Sequence, residues 1–188
     1  MSEKRTIVTG PNTVFSYLHV LQPRAISEGA EAKYSVSLII PKSDTETIQK
    51  IQDAILAAYE EGESKLRGNG RTVPPLKDLK IPLKDGDRKV PDDPAYHGAY
   101  YINASNKEKP KLFNARLEEI TDPGELYSGV TGRAQITFYA YNKGVNRGIG
   151  CALDGLKKLR DGEPLGGHTN VRAAFMGLDD DLEDDFLA

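Results

Sequence analysis

The sequence predicts a mainly β fold that carries one long α-helix, a long irregular insertion and a disordered acidic C-terminal tail. Several segments alternate apolar and polar residues with the period of two that a β-strand requires. Only one segment repeats apolar residues at helical spacing, and no regular succession of strand, helix and strand appears. A small β-barrel elaborated by one helix is therefore the expected architecture. With 188 residues, 38% of them hydrophobic, the chain is long enough for one domain with its own core.

The first two strands are predicted at residues 13–21 and 33–40. In the first strand the two faces are Val14, Ser16, Leu18 and Val20, and Phe15, Tyr17, His19 and Leu21. In the second strand the inward positions are Tyr34, Val36, Leu38 and Ile40, and the outward positions are Lys33, Ser35 and Ser37. Pro41 is expected to end this strand, because proline cannot donate a hydrogen bond to the ladder.

The single long helix is predicted from about residue 44 to residue 66. Ser43 and Glu46 match a capping box, in which two side chains satisfy free backbone N–H groups at the start of a helix. The apolar stripe expected to face the core comprises Ile48, Ile51, Ile55, Leu56 and Tyr59. Gly68 and Gly70 are expected to end the helix, because glycine is common just after the last turn of a helix.

A segment rich in proline and lysine, residues 69–97, follows the helix and is predicted to be an irregular excursion over the surface. Loops of this length within a compact domain are uncommon and are usually functional or disordered. Strands resume after it and are predicted at residues 99–105, 111–117, 131–141 and 146–153.

Groupings of residues that would indicate catalysis or metal binding are scarce in the sequence. The three histidines are far apart, and the single Cys151 excludes a zinc site built on several cysteines. Four aspartates in the 69–97 segment could bind a metal ion in a nuclease, namely Asp85, Asp87, Asp92 and Asp93. Solvated turn residues are the simpler interpretation, and a metal-dependent nuclease is retained as an alternative. The sequence therefore predicts a protein that is not an enzyme and has no cofactor or metal.

The strongest functional signal lies in residues 132–144, GRAQITFYAYNKG. The even positions of this strand, Ala134, Ile136, Phe138 and Ala140, form the predicted core face. The opposite face has two tyrosines bracketed by cations, and it is typical of a binding site for single-stranded nucleic acid. Tyrosine rings stack on bases, while arginine and lysine neutralise phosphates. The DNA contacts predicted from this face are Arg133, Gln135, Tyr139, Tyr141 and Lys143.

Neighbouring segments add more aromatic and basic residues. The DNA contacts predicted from them are Tyr100, Tyr101, Lys107, Lys109, Lys111 and Arg147. Basic and aromatic residues interleaved across several strands of a small barrel are typical of the binding groove of an OB fold. The alternative is a protein-interaction or structural module whose tyrosine-rich face meets another protein. The sequence leaves open whether the chain forms a homo-oligomer.

The run from residue 127 to residue 167 resembles a family of bacteriophage and prophage single-stranded DNA-binding proteins. The matching positions of its first part are Tyr127, Gly129, Phe138, Ala140 and Tyr141. Those of its second part are Asn146, Gly148, Ile149, Leu153, Lys158 and the run RDGEPLGG at residues 160–167. The resemblance implies an OB fold that binds single-stranded DNA without sequence preference during phage replication or recombination. It also implies a flexible acidic tail.

The chain ends in the acidic segment GLDDDLEDDFLA, residues 177–188. Six of the 28 acidic residues lie in it, so the remaining 22, against 25 basic residues, give the preceding chain a formal charge of +3. Such charge asymmetry is typical of an interaction tail. We therefore expect a DNA-binding domain at residues 1–170 and a flexible tail at residues 171–188. The tail contacts predicted for replication or recombination partners are Asp184, Asp185, Phe186 and Leu187.

The expected location is the cytoplasm of a bacterial host cell. The N-terminal residues lack the apolar region of a signal peptide, and no apolar run is long enough to cross a bilayer. A single cysteine also suits a reducing compartment, because it forms no internal disulfide. No membrane partner is expected.

Overall fold

The computed structural model describes residues 3–25 and 27–165. The strands are β1 (Thr6–Val8), β2 (Thr13–Arg24), β3 (Lys33–Pro41), β4 (Leu83–Asp85), β5 (Ala99–Asn106), β6 (Lys111–Phe113), β7 (Thr131–Lys143) and β8 (Asn146–Arg160). The α-helices are α1 (Thr45–Glu61), α2 (Glu63–Arg67) and α3 (Gly86–Lys89). Short 3₁₀ helices lie at Glu3–Arg5, Leu76–Asp78, Pro94–Tyr96 and Pro123–Glu125. The fold is thus mainly β with few helices, as the sequence predicted.

Five of the strands pair in a closed cycle. β7 pairs with β2, β2 with β3 and β3 with β5, all antiparallel. β5 then pairs in parallel with β8, and β8 returns to β7 in a long antiparallel hairpin. β1 pairs with β7 beyond the short β2 pairing, β4 pairs with β5, and β6 pairs with β8. Each strand of the cycle therefore has two hydrogen-bonded neighbours within it.

The main hydrophobic core is built largely by the strands of this cycle, with helix α1. Its largest fully buried side chains include Phe15, Leu38, Ile40, Ile102, Ile136, Phe138 and Leu153. The predicted core face of β7 is confirmed, since Ala134, Ile136, Phe138 and Ala140 are all at most 7% exposed. Within the described ranges, no helix has the length and apolar character needed to cross a membrane.

Helix α1 packs its apolar face against the core and lies against β7. Its N-cap is Asp44, whose carboxylate accepts a hydrogen bond from the Thr47 backbone N–H at 3.2 Å, so the predicted capping pair of Ser43 and Glu46 was wrong. Leu56 is also misassigned to the buried stripe, because its side chain is 47% exposed while Ala54 and Ala58 are buried. The small alanines let the helix approach the sheet more closely than the larger leucine would.

Strand β2 contains a β-bulge that breaks the predicted alternation. Phe15 and Val20 are both buried although the period of two places them on opposite faces. The register with β3 shifts between Ser16 and His19, and Tyr17 between them has a φ of 46°. The extra residue of a bulge moves the following side chains to the other face of the strand. The face assignment made from sequence was therefore wrong beyond Ser16.

Strand β3 is covered on both faces. Val36, Leu38 and Ile40 face the main core as predicted. Ser37 was expected to point outward but is only 3% exposed, and its hydroxyl accepts a hydrogen bond from the Tyr96 hydroxyl at 3.0 Å. Tyr96 belongs to the 69–97 insertion, which folds back over this side of the sheet. The alternation of β3 could not reveal a cover that comes from a distant part of the chain.

Several element ends also differ from the sequence prediction. The strand predicted at residues 111–117 ends at Phe113, because Asn114 forms a turn in which its side chain accepts from the Arg116 and Glu118 backbone N–H groups. The last strand continues to Arg160 rather than to residue 153, because it stays paired with β7 to the start of that strand. The 69–97 insertion contains the short helix α3 and also the strand β4, which the sequence did not predict.

Candidate nucleic-acid interface

The outward face of the β7–β8 hairpin places two tyrosines opposite two glycines. Tyr139 pairs with Gly150, and Tyr141 pairs with Gly148. Directly opposite residues of an antiparallel pair point to the same side of the sheet. The Tyr139 ring lies over Gly150, since a Cβ built on this glycine would be 2.5 Å from the Tyr139 Cζ atom. The absent side chain therefore lets the ring lie across the neighbouring strand.

We expect Gly150→Ala to weaken binding of single-stranded DNA, because the added methyl group displaces the Tyr139 ring from its position. The expected loss is roughly fivefold, which corresponds to about 1 kcal/mol and to the lower limit for one stacked base. Fluorescence anisotropy with labelled oligo-dT measures it. In a Tyr139→Ala background the same change should have little further effect. An equal loss in both backgrounds would show that Gly150 acts independently of the ring.

The two tyrosines line a groove of about 780 Å³ that we call the tyrosine groove. Tyr100 of β5 lines it as well, so three of the tyrosines predicted from the sequence lie together. The 69–97 insertion supplies the basic residues of its border, which are Lys80, Lys84, Arg88 and Lys89. Ile149 and Cys151 line it beside Gly150. Aromatic rings and cations thus lie within reach of one extended ligand.

The basic edge of the tyrosine groove is fixed by an ion-pair network around Lys42. The Lys42 ammonium lies 2.9 Å from a carboxylate oxygen of Asp85 and 2.8 Å from one of Asp87. The hydrogen bonds to Asp87 and then Asp85 raise the pKa of Lys42, and the bond from Lys42 lowers the pKa of both carboxyl groups. Asp87 also accepts from the Gly98 backbone N–H at 3.0 Å. These contacts hold helix α3, with Arg88, beside the sheet.

Three of the four aspartates considered as metal ligands form other interactions. Asp85 and Asp87 bind Lys42, and Asp93 accepts a hydrogen bond from the Ala95 backbone N–H at 3.0 Å. Across residues 3–25 and 27–165, no group of three or more histidine, cysteine, aspartate or glutamate side chains is arranged to hold a metal ion. The Lys42 ammonium also lies 5.3 Å from the Tyr100 ring centroid, so it supports the ring as well as the carboxylates.

Tyr139 and Cys151 are neutral at physiological pH. Burial raises the pKa of the Tyr139 phenol, although 38% of the residue remains exposed on the groove side. Burial also raises the pKa of the Cys151 thiol, which is only 4% exposed and adjoins the groove. Neither group therefore presents a negative charge to a phosphate. The exposed part of the tyrosine ring is available for stacking.

Arg133, Gln135 and Lys111 border a different groove, of about 310 Å³, together with Lys157. This groove lies on the same outward face of β7, toward its beginning. Asp154 lines this groove as well, and its carboxylate accepts a hydrogen bond from the Thr137 hydroxyl at 2.7 Å. The predicted contacts on this face of β7 therefore belong to two different grooves.

The remaining predicted contacts lie apart from the tyrosine groove. Tyr101 is only 9% exposed, and its ring meets the ring of Tyr96 edge to face at 5.1 Å. The Arg147 guanidinium donates to the Leu66 carbonyl at 3.1 Å and so fastens the β7–β8 hairpin to α2. The turn lysine Lys107 forms an ion pair with Glu31 at 3.2 Å. Lys109 is exposed in the turn between β5 and β6, and Lys143 is exposed at the end of β7.

The sequence did not identify the basic residues that border the tyrosine groove. Lys84, Arg88 and Lys89 lie in an insertion without apolar periodicity, so no strand face could be assigned to them. The only sequence feature that pointed to these residues as DNA contacts was the high number of basic residues between the prolines of the insertion. The pairing of β4 with β5, which places Asp85 opposite Tyr100, brings this insertion to the tyrosines.

The site is an open groove with tyrosines on a sheet and cations along one border. The arrangement is typical of proteins that bind single-stranded nucleic acid, because bases stack on the rings while the backbone follows the positive charge.

The comparisons with known proteins name the family. The family described as Enterobacter phage Enc34, ssDNA-binding protein, matches residues 5–187, and the chain belongs to it. Protein p50 of Acyrthosiphon pisum secondary endosymbiont phage 1 is 28% identical over 159 residues, which are 83% of this chain and 84% of the relative.

Solved structures agree with this assignment. The single-stranded DNA-binding protein from bacteriophage Enc34 in complex with ssDNA matches with a TM-score of 0.69 and 28% identity, over 87% of this chain and 91% of that one. The single-stranded DNA-binding protein gp2.5 of bacteriophage T7 matches with a TM-score of 0.61 over 90% of this chain and 99% of that one. At 12% identity the T7 likeness concerns the fold alone.

Proposed function

We propose that this chain binds single-stranded DNA without sequence preference and coats it during phage DNA replication or recombination. The observation that carries the proposal is the tyrosine groove, where Tyr100, Tyr139 and Tyr141 lie beside four cations. Stacking on tyrosine tolerates every base, and the cations neutralise phosphates of any sequence. Membership of the Enc34 family supports the same ligand. The protein acts as a binding protein rather than an enzyme, in the cytoplasm of the bacterial host.

The fold of the binding domain is an OB fold. An OB fold is a five-stranded, partly open Greek-key barrel whose sheet face binds oligonucleotides. The closed cycle of β2, β3, β5, β8 and β7 has this number of strands, and its interior holds the main core. The tyrosine groove lies on the outer surface of this cycle, with the insertion as one wall.

The experiment that tests the function is a fluorescence-anisotropy titration with single-stranded and duplex DNA at two salt concentrations. We expect tighter binding of the single strand and a strong loss of affinity at the higher salt concentration. The same preparation incubated with DNA and magnesium or manganese should leave the strand intact. Equal binding of both DNA forms, absence of binding, or cleavage would each contradict the proposal.

The acidic segment at residues 177–188 lies outside the described residues, as do its predicted partner contacts Asp184, Asp185, Phe186 and Leu187. We propose that this segment competes with DNA for the tyrosine groove and its basic border. Because the segment is covalently attached to the domain, its six carboxylates are present at high local concentration. When DNA displaces the segment, its apolar residues become available to replication or recombination proteins.

Deletion of residues 178–188 is expected to strengthen binding of single-stranded DNA at low salt, because a tethered competitor is lost. The gain should shrink as salt screens the attraction between the carboxylates and the groove. Anisotropy titrations of the full-length and truncated chains over a salt series measure both effects. A full-length control with the six carboxylates changed to amides should behave like the truncation. Equal or weaker binding by the truncated chain would refute the competition.

A further inference from the structure

A second aromatic groove adjoins the tyrosine groove on the same side of the sheet. It has a volume of about 430 Å³, and we call it the Tyr17 groove after the exposed tyrosine at its border. Asn103 and Ser105 of β5 line both grooves. Ser105 pairs with Ala152 of β8 on one side and with Ser35 of β3 on the other. The surface thus continues from the β7–β8 hairpin across β5 to β3 and β2.

The two grooves differ in charge. The tyrosine groove has four basic residues at its border, whereas none of the residues that line the Tyr17 groove is charged. Its lining combines aromatic rings with hydroxyl and amide groups, including Tyr17, Tyr101, Ser35 and Asn103. Such a lining fits a planar, uncharged group with hydrogen-bonding edges, which describes a nucleobase. It offers no cation to neutralise a phosphate.

The backbone conformation of Tyr17 costs free energy, and burial of its ring does not offset this cost. Its φ of 46° lies in the left-handed region, where glycine and asparagine are favoured and a bulky residue is rare. The bulge itself serves packing, since it lets both Phe15 and Val20 enter the core. A large aromatic residue at this position does not serve packing, because it is 48% exposed. Strained residues of this kind cluster at ligand-binding sites.

We propose that the Tyr17 groove is a second nucleotide subsite, in which Tyr17 stacks a base of the same DNA strand that occupies the tyrosine groove. The strand passes from one groove to the other over Asn103 and Ser105, which present hydrogen-bonding groups along this path. The inference rests on the proposed function and extends the DNA path to Tyr17 and Ser35, which sequence reasoning did not identify as contacts, beside Tyr101, which it did. The bases in this subsite contribute affinity through stacking and not through charge.

The test compares Tyr17→Ala with Tyr139→Ala in anisotropy titrations with oligo-dT of increasing length, from about 4 to about 16 nucleotides. An oligonucleotide short enough to fill only the tyrosine groove should bind Tyr17→Ala as it binds the unchanged protein. Longer oligonucleotides should bind Tyr17→Ala about tenfold more weakly, within the range expected for loss of one stacked base. Tyr139→Ala should weaken binding at every length.

Two controls distinguish stacking from a structural effect. Tyr17→Phe retains the ring and should bind long oligonucleotides as tightly as the unchanged protein does. If the hydroxyl group supplied the binding energy, Tyr17→Phe would bind as weakly as Tyr17→Ala. Leu56→Ala removes another half-exposed apolar side chain outside all three grooves and should leave affinity unchanged. Thermal unfolding of each variant confirms that its fold persists.

The salt dependence supplies an independent readout. Tyr17→Ala should lower affinity without changing the slope of log K against log salt concentration, because no phosphate contact is lost. A changed slope, or equal affinity of Tyr17→Ala and the unchanged protein at every length while Tyr139→Ala binds weakly, would overturn the inference and leave the proposed function intact. If the unchanged protein binds no single-stranded DNA, the proposed function fails and the subsite fails with it.

Discussion

Replacement of both Tyr139 and Tyr141 by alanine is expected to weaken binding to oligo-dT by about 30-fold or more. Both residues line the tyrosine groove, and Tyr139 presents a half-exposed ring over Gly150. Loss of one stacked base costs about 1–3 kcal/mol, so two lost rings cost at least about 2 kcal/mol. An anisotropy titration at fixed salt concentration measures the loss. The fold should persist, because neither ring is part of the main core cluster.

The matched control for this pair is the double replacement by phenylalanine. Phenylalanine retains a ring that stacks, so affinity should stay within a few-fold of the unchanged protein. Unchanged binding of the alanine pair would remove this face from the DNA site. Equal losses for the alanine and phenylalanine pairs would instead assign the binding energy to the hydroxyl groups.

Replacement of Lys84, Arg88 and Lys89 by glutamine should lower affinity for every DNA sequence and reduce the salt dependence. These residues are three of the four cations at the border of the tyrosine groove, where they can neutralise phosphates. Each phosphate contact to a single strand contributes about −0.7 to the slope of log K against log salt concentration, so the slope should become shallower by about 2. Titrations at four or more salt concentrations measure it.

The comparison variant for this triple change replaces Lys107, Lys109 and Lys111 by glutamine. The sequence predicted these lysines as phosphate contacts, but none of them lines the tyrosine groove, and Lys107 forms an ion pair with Glu31. We expect a smaller change in slope for this variant than for the insertion variant. The reverse order would place the phosphate path along the β5–β6 turn and would contradict our assignment of the basic border.

The sequence identified the tyrosines of the site because strand periodicity assigns faces over a long regular strand. Residues 131–143 alternate without interruption on the core side, so the outward position of Tyr139 and Tyr141 followed directly. The same reasoning failed at β2, where one extra residue at Tyr17 changes the face. It also placed Arg133 with the tyrosines, although Arg133 lines a different groove from Tyr139 and Tyr141.

Arg147 illustrates a second limit of reading the sequence. A cation beside a tyrosine-rich strand is a reasonable phosphate contact, but the guanidinium donates to the Leu66 carbonyl and holds α2 in place. Tyr101 is similar, because its ring packs edge-on against Tyr96 of the insertion. The partner of Arg147 lies 81 residues away, and that of Tyr101 lies in an insertion without periodicity, so no local pattern reveals whether either side chain is free.

The amino-acid sequence by itself determined the mainly β character of the fold, the helix, the core face of β7 and the family resemblance, because these depend on local periodicity and on short motifs. Only the tertiary structure decided which side chains form one binding surface. The insertion has no periodicity of its own, and its cations reach the tyrosines because β4 pairs with β5 and because Lys42 binds Asp85 and Asp87. Contacts between residues distant in the chain depend on the closed pairing of strands, which no single segment encodes.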